Sequence, residues 1–448
     1  MLMDFLFGHR GTRRKSKHAP RRRSSPRLEA LEDRALPSTL TVSSAADNGS
    51  SGTLRAVLAA AQSGDTIRFA RQLDGQTITL TQGQLTVSEN LSIVGPGAAA
   101  LSISGGGAGR IFDVDAGVTA TISGLTLTGG MATDGGAVLN AGSLTLSQDL
   151  LSNDTAQGVA GGGLFGDGGG RGGAVVNQAG ATLNVTFSTF SGDQALGSSG
   201  GGNAFGGAIY NQAGSVTISQ STVTGNQAVG GNGGSTGTSV TLPGSYSATF
   251  LGVAVGGGVW NDGGSLAVSN SSLKYDVAQG GNDANTSAIL TPVFVDAGIG
   301  GAIGSGNIFS TTTPNITITG GTLDENKALG GTNAIVAYGS TAVVAVGDGG
   351  AVTVIAGNLS VTGSVIAGNL AESGALTFEQ GGSVSRTCAS AANGGGICAA
   401  FNFGLRRSTA FLSLTVTGVQ LATTLPSATD QTGLALAADR TLRRRMLR

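Results

Sequence analysis

Residues Gly206 to Gly230 read GGAIYNQAGSVTISQSTVTGNQAVG, and the way this stretch recurs decides the fold. Apolar residues stand at Val216, Ile218 and Val223, with Asn226 and Ala228 close behind. The same offsets return as Leu144, Leu146, Leu151, Asp154 and Ala156, and as Leu183, Val185, Phe190, Asp193 and Ala195. Three later sets follow: Leu266, Val268, Leu273, Asp276 and Ala278; Ile316, Ile318, Leu323, Asn326 and Ala328; Leu359, Val361, Ile366, Asn369 and Ala371. A worn copy precedes them (Ala120, Ile122, Leu127, Gly130, Ala132) and a fading one closes the series (Leu414, Val416, Leu421). Self-similarity of this kind marks a stacked repeat, in which each unit contacts only its neighbours.

The repeat unit holds three strand-like pieces, GAIYN, SVTIS and STVTGN, separated by one or two turn residues. Short strands, units that cannot bury their apolar face alone and the crossover rule together predict an all-β fold, a right-handed parallel β-helix. Rungs at about 4.8 Å, nine or ten of them, make a rod of about 45 Å. A composition of 79 Gly with 11% charged and 4% aromatic residues suits strands joined by tight turns.

Two polar columns follow from the alignment. Asn140, Asn177, Asn211 and Asn261 end the first strand, and Asp154, Asp193, Asn226, Asp276, Asn326 and Asn369 end the third. Stacked amides hydrogen-bond along a column and tolerate the left-handed backbone of a tight corner, so both read as structural ladders. Calcium ligation is the alternative for the mixed column, but calcium needs several oxygens converging on one point, whereas these are spread along the axis. No metal and no cofactor is expected.

The units differ at one corner only. Insertions fall between the Ala of the third strand and the next Gly-Gly pair: 158–171, 197–205, 230–255, 280–299, 330–348 and 374–393. Loops gathered on one face of a rigid scaffold are where a binding surface is built. Tyr210 and Trp260 share an outward slot in adjacent units, offering a glycan contact unless the neighbouring insertions cover them. Cys398 takes the same slot near the insertion bearing Cys388, and a disulfide between the two would close a short loop.

Residues 1–38 form a basic segment, 39–425 the β-helix, and 426–448 a basic tail expected to be disordered. Ten of the 25 Lys and Arg precede Ala35 and seven follow Gly404. Between Ile111 and Ala400 only Arg171, Lys274, Lys327 and Arg386 are basic, too few to replace the counterions of a nucleic acid. No apolar run reaches the ~18 residues of a membrane-spanning helix. Thr53 can cap a helix over 54–62, whose Leu54, Val57, Leu58 and Ala61 share a face, before a strand over 65–69. Laid across the first coil, that helix would shield an open core and unpaired backbone.

Three resemblances sharpen the expectation. PRLEALEDRALPS, from Pro26 to Ser38, resembles the LExLExR-type segment found ahead of large bacterial extracellular repeat proteins, which implies export. Leu54, Arg55, Ala61 and the run Asp65 to Phe69 resemble the CSLREA-type entry domain of bacterial surface β-helix proteins, although Ala56 stands where that motif has Glu and its Cys is missing. GGAVLN, GGAVVN, GGAIYN and GGGVWN resemble the first motif of the polymorphic outer membrane protein repeats.

Both histidines, His9 and His18, lie in the basic segment, which removes a Ser-His or Cys-His nucleophile pair from the repeat body. Carboxylate chemistry survives at Asp113 and Asp115, with Asp134 or Asp167 nearby in sequence. The expected function is therefore an exported cell-surface or extracellular structural, adhesion-type β-helix that binds glycan or a surface protein through its loop face. The alternative is a polysaccharide lyase or glycoside hydrolase of the pectate-lyase-like fold.

Overall fold

The computed structural model describes residues 37–160, 168–235, 237–242, 246–285, 293–336, 342–374, 376–378, 395–399, 412–417 and 420–422. The basic segment and the basic tail lie almost wholly outside these residues.

The chain winds as a right-handed parallel β-helix. In the coil that begins at Gly206, Ile209–Gln212 joins a nine-stranded sheet, Ser215–Ser219 an eleven-stranded sheet and Thr222–Thr224 a ten-stranded sheet. The register joins like to like: Ile209 lies beside Val259, Val216 beside Leu266, and Val223 beside Leu273. Ile209, Val216, Ile218 and Val223 point inward, buried in one continuous aliphatic core that runs from Val42 to Ile366. Alternation explains this directly, since every second residue of a strand faces the same side. One antiparallel pairing interrupts the pattern, Thr238–Leu242 against Tyr246–Leu251 within an insertion.

The expected three strands per coil are in fact five. Gln227–Val229 forms a separate seven-stranded sheet with its equivalents, and the residues just before each Gly-Gly pair, such as Ala204–Phe205 and Ala254–Val255, build a five-stranded sheet. These two sheets pack through the smallest side chains available. Ala156, Ala195, Ala228 and Ala278 on one meet Ala204 and Ala254 on the other in a buried cluster. The repeated Ala thus sits in its own strand, beyond a corner that the sequence pattern reads as a strand end.

The Gly-Gly pair has two separate causes. The first member is left-handed throughout, with φ of 65° at Gly206 and 64° at Gly256. The second is a close approach, since a Cβ at Gly207 would collide with the carbonyl of Gly257 in the next coil.

At the entry, Thr53 caps helix Leu54–Ala60 by accepting the Ala56 N–H, and Leu54 and Leu58 are buried against the first coils. Thr39–Val42 pairs with Thr66–Phe69 to begin the eleven-stranded sheet. Among the described residues no helix is long and apolar enough to cross a membrane.

Candidate functional site

The first polar column is a continuous amide ladder. Asn140 Nδ2 donates to Asn177 Oδ1 at 2.7 Å, Asn177 to Asn211 at 2.8 Å, and Asn211 to Asn261 at 2.7 Å. All four side chains are fully buried. The second column works differently. The side-chain oxygen of each member accepts the backbone N–H of its equivalent one coil earlier: Asp154 N to Asp193, Asp193 N to Asn226, Asn226 N to Asp276, Asp276 N to Asn326 and Asn326 N to Asn369, all at 2.9 to 3.0 Å.

The expectation that these residues take the left-handed conformation needs correcting. That conformation falls one residue earlier, on Asn153, Gly192, Gly225, Tyr275, Glu325 and Gly368. A chain that turns on one residue leaves the next one's N–H without a regular strand partner, and the neighbouring coil's side chain supplies it.

A third column of the same design passes unnoticed in the sequence. Left-handed Gln148, Phe187, Gln220 and Asn270 are each followed by a short polar residue. Asp149 N donates to Ser188 Oγ, Ser188 N to Ser221 Oγ and Ser221 N to Ser271 Oγ, each at 3.1 Å. Its signal is an acceptor directly after a corner residue, five positions before the Asp or Asn of the second column; the chemistry differs from the Asn columns, which is why it is easily missed.

Burial reshapes the acidic members. Burial pushes Asp276 up to about 8 and Asp149 to about 7, and raises Asp154 and Asp193 well above the usual carboxylate range, with each of the latter two also repelled by a neighbouring carboxylate.

Tyr210 and Trp260 do point away from the main core, one above the other, but neither offers a face to a glycan. Both are 0% exposed. They belong to a second apolar core with Val176, Phe205, Phe250, Val255, Phe294 and Ile299, built between the nine-stranded sheet, the five-stranded sheet and the insertions. Residue 304, the next in the outward column, is Gly because the Trp260 ring lies where its Cβ would project. Tyr210 Oη donates to Asp262 Oδ2 at 2.8 Å, and Arg171, fully buried, stacks on Phe205 and Phe309 with its guanidinium carbon 5.3 and 5.2 Å from the ring centres. Burial, opposed by the Tyr210 hydrogen bond, brings Asp262 to about 6.

The described parts of the insertions at 230–255, 280–299 and 330–348 stack on one another. Leu251 lies beside Val295 and Val295 beside Val344, and the Phe250 and Phe294 rings are parallel at 4.6 Å. At their starts, Asn232 Oδ1 accepts from Asn282 N at 2.9 Å, and Asn282 Oδ1 accepts from Thr332 N at 2.8 Å. Cys388 lies outside the described residues; Cys398 is half-buried, and its thiol hydrogen-bonds the buried carboxylate of Asp348.

The outer face of the eleven-stranded sheet carries stacked hydroxyl columns, for instance Ser147, Thr186, Ser219, Ser269, Thr319 and Thr362 in one register. At the entry end, before the second core begins, half-buried Asp113 accepts from Gln84 Nε2 at 2.7 Å, and Arg110 Nη1 donates to Gln84 Oε1 at 2.6 Å. Asp115, two residues on from Asp113, is exposed just beyond the end of the Phe112–Val114 strand. Asp134 pairs instead with Arg171 at 3.5 Å, and Asp167 lies outside the described residues. Among the described residues, no group of three or more His, Cys, Asp or Glu is placed to hold a metal ion.

No family model matches the chain, and no curated protein is detectably similar to it. Among solved structures it is similar to pectate lyase Pel9A, at 13% identity and a TM-score of 0.32, over 79% of this chain and 78% of that one. It is also similar to tailspike protein 3 of bacteriophage CBA120, at 8% identity and a TM-score of 0.18, over 86% of this chain and 61% of the tailspike.

Proposed function

We propose that this chain is an exported, non-enzymatic β-helix, at the cell surface or outside the cell, whose insertion-bearing side binds an extracellular glycan or a surface protein. The observation that carries this reading is the stacking of the described parts of three insertions, through the strands at Leu251, Val295 and Val344 and the steps from Asn232 to Asn282 to Thr332. A surface whose loops are fixed before contact loses less conformational entropy on binding. The Gly-Gly-Ala-Ile likeness to polymorphic outer membrane protein repeats and the LExLExR-type segment support export and surface display.

A second reading, a polysaccharide lyase or glycoside hydrolase, draws on Asp113, Gln84 and Arg110 at the uncovered entry end. One experiment separates the two. Purified chain is assayed for retention on neutral and acidic polysaccharides and, in parallel, for release of unsaturated or reducing ends. Binding without turnover is expected. Turnover abolished by Asp113→Ala or Asp115→Ala would overturn the non-enzymatic reading.

A further inference from the structure

The second polar column mixes two residue types at one geometrical position, and comparing them shows what the position requires. Where it holds Asn, Nδ2 is a donor with defined partners. Asn226 Nδ2 donates to the Phe190 carbonyl at 3.3 Å, Asn326 Nδ2 to the Leu273 carbonyl at 3.0 Å, and Asn369 Nδ2 to the Leu323 carbonyl at 2.9 Å. Each acceptor is the inward strand residue one coil earlier, because Phe190, Val223, Leu273 and Leu323 are paired in register. By the same register, the carbonyls of Leu127, Leu151 and Val223 stand in that relation to Asp154, Asp193 and Asp276.

In all three aspartates one carboxyl oxygen accepts a backbone N–H, from Gly130, Asp154 and Asn226 respectively. The other oxygen, Oδ2, is buried with no hydrogen-bond partner among the described residues. An ionised oxygen cannot donate as asparagine's Nδ2 does at this position. The groups around the column give no compensating cation. Asp154 and Asp193 face each other's charge and Asp193 also feels Asp276; the backbone N–H groups of Ser152 and Ser191 hydrogen-bond the carboxyls of Asp154 and Asp193, and Asn226 Nδ2 donates to Asp276 Oδ1 at 2.9 Å, which favours the charged form, but burial outweighs these contacts.

We propose that Asp154, Asp193 and Asp276 keep their protons in the folded rod at neutral pH and act as amide substitutes, with Oδ2–H donating where asparagine presents Nδ2. The rod's central coils are then held by protons taken from the medium, and they loosen as the medium becomes more basic. Loss of a proton replaces a donor by a buried charge. The unfolded chain releases these protons first, so stability falls as pH rises from about 4, the ordinary Asp range, and levels off only above the folded-state value. For Asp276, brought to about 8 by burial, the folded chain holds its proton roughly ten-thousand-fold more tightly than the unfolded one.

The test compares the wild-type chain with the triple variant Asp154→Asn, Asp193→Asn, Asp276→Asn, in thermal unfolding at pH 5 and pH 8 and in infrared spectra at pH 7. The triple variant should lose less of its melting temperature between pH 5 and pH 8 than the wild type, and melt higher than it at pH 8. The wild-type-minus-variant infrared difference should show a protonated carboxyl C=O band at pH 7. An unchanged pH slope, or a difference spectrum with carboxylate bands alone, overturns the proposal. Should the triple variant not fold, Asp276→Asn alone is read in the same way. Asp149→Ser, in another column, serves as the control for titration elsewhere.

Discussion

Replacing Asn211 by Ala cuts the amide ladder in its middle. Asn211 Nδ2 donates to Asn261 Oδ1 at 2.7 Å and to the Gly214 carbonyl at 3.1 Å, while its Oδ1 accepts from Asn177 Nδ2 at 2.8 Å. Asn177 Nδ2 keeps a second acceptor, the Ala181 carbonyl at 3.2 Å, so the severest loss falls on the buried oxygen of Asn261. Lost hydrogen bonds at about 1 kcal/mol each, with one orphaned buried acceptor, give a destabilisation of roughly 2–4 kcal/mol. Because coils contact only their neighbours, the damage should be local. Urea unfolding measures the total, and amide hydrogen exchange should show protection falling in the coils of Asn177, Asn211 and Asn261 before it falls in the entry coils. Asn211→Asp keeps the acceptor and loses the donor only when ionised, so it should lie between Ala and wild type at low pH and approach Ala at high pH. A loss below about 0.5 kcal/mol with unchanged exchange would refute the claim that the ladder holds these coils in register.

Other consequences are independent of the ladder. Gly207→Ala drives a Cβ into the Gly257 carbonyl and should prevent folding or cost more than about 3 kcal/mol, whereas Gly225→Ala, left-handed at φ 66° but with open space around its Cβ, should cost only about 1–2 kcal/mol; denaturant midpoints distinguish them. The single Trp, Trp260, should emit as a buried indole and resist acrylamide quenching, and Trp260→Ala should cost about 3–5 kcal/mol; water-like emission would contradict the second core. Asp149 is raised to about 7, so its unfolded form sheds a proton first and its contribution to stability falls from about pH 4 to about pH 7, by an upper bound of about 4 kcal/mol. Asp149→Ser, the residue found at 188, 221 and 271 of that column, should flatten the slope over this window in pH-dependent unfolding.

What was legible in the sequence was whatever repeats. The inward stack of Val216 on Leu266 and the columns through Asn211 and Asn226 follow from fixed offsets, because register pins like residues side by side. What lies on the insertion side was not legible. Tyr210 and Trp260 alternate out of the main core, as a strand requires, but whether an outward ring meets solvent depends on what covers it. Here the cover comes from Phe205 ahead of the Gly-Gly pair and from Phe250 and Phe294 in insertions whose lengths vary from coil to coil. The extra strand at Ala228 was hidden for a related reason: its partner across the small-residue contact is Ala204 or Ala254, a pair of residues attached to the end of an insertion of variable length. Buried Arg171 had no sequence signal at all beyond being one of the rare cations of the repeat body.

The in-register pairing leaves rod length as something the gene can change in whole steps. Ser215 lies beside Ser265, so excising residues 215–264 joins Gly214 to Ser265 and returns the chain to an equivalent point one coil further along. The inward columns then close over the gap with residues of their own kind, Leu183 meeting Leu266 and Val185 meeting Val268, whereas Ala204 meets Gly298, Tyr210 meets Gly304 and Asn211 meets Ser305. Duplication of the same segment would lengthen the rod by about 4.8 Å and would set a second Trp260 in the slot beside Trp260 that Gly304 fills now. Each such step, loss or gain, carries the insertion at 230–255 and the second-core residues Phe250 and Trp260 with it, so reach and the insertion side change together.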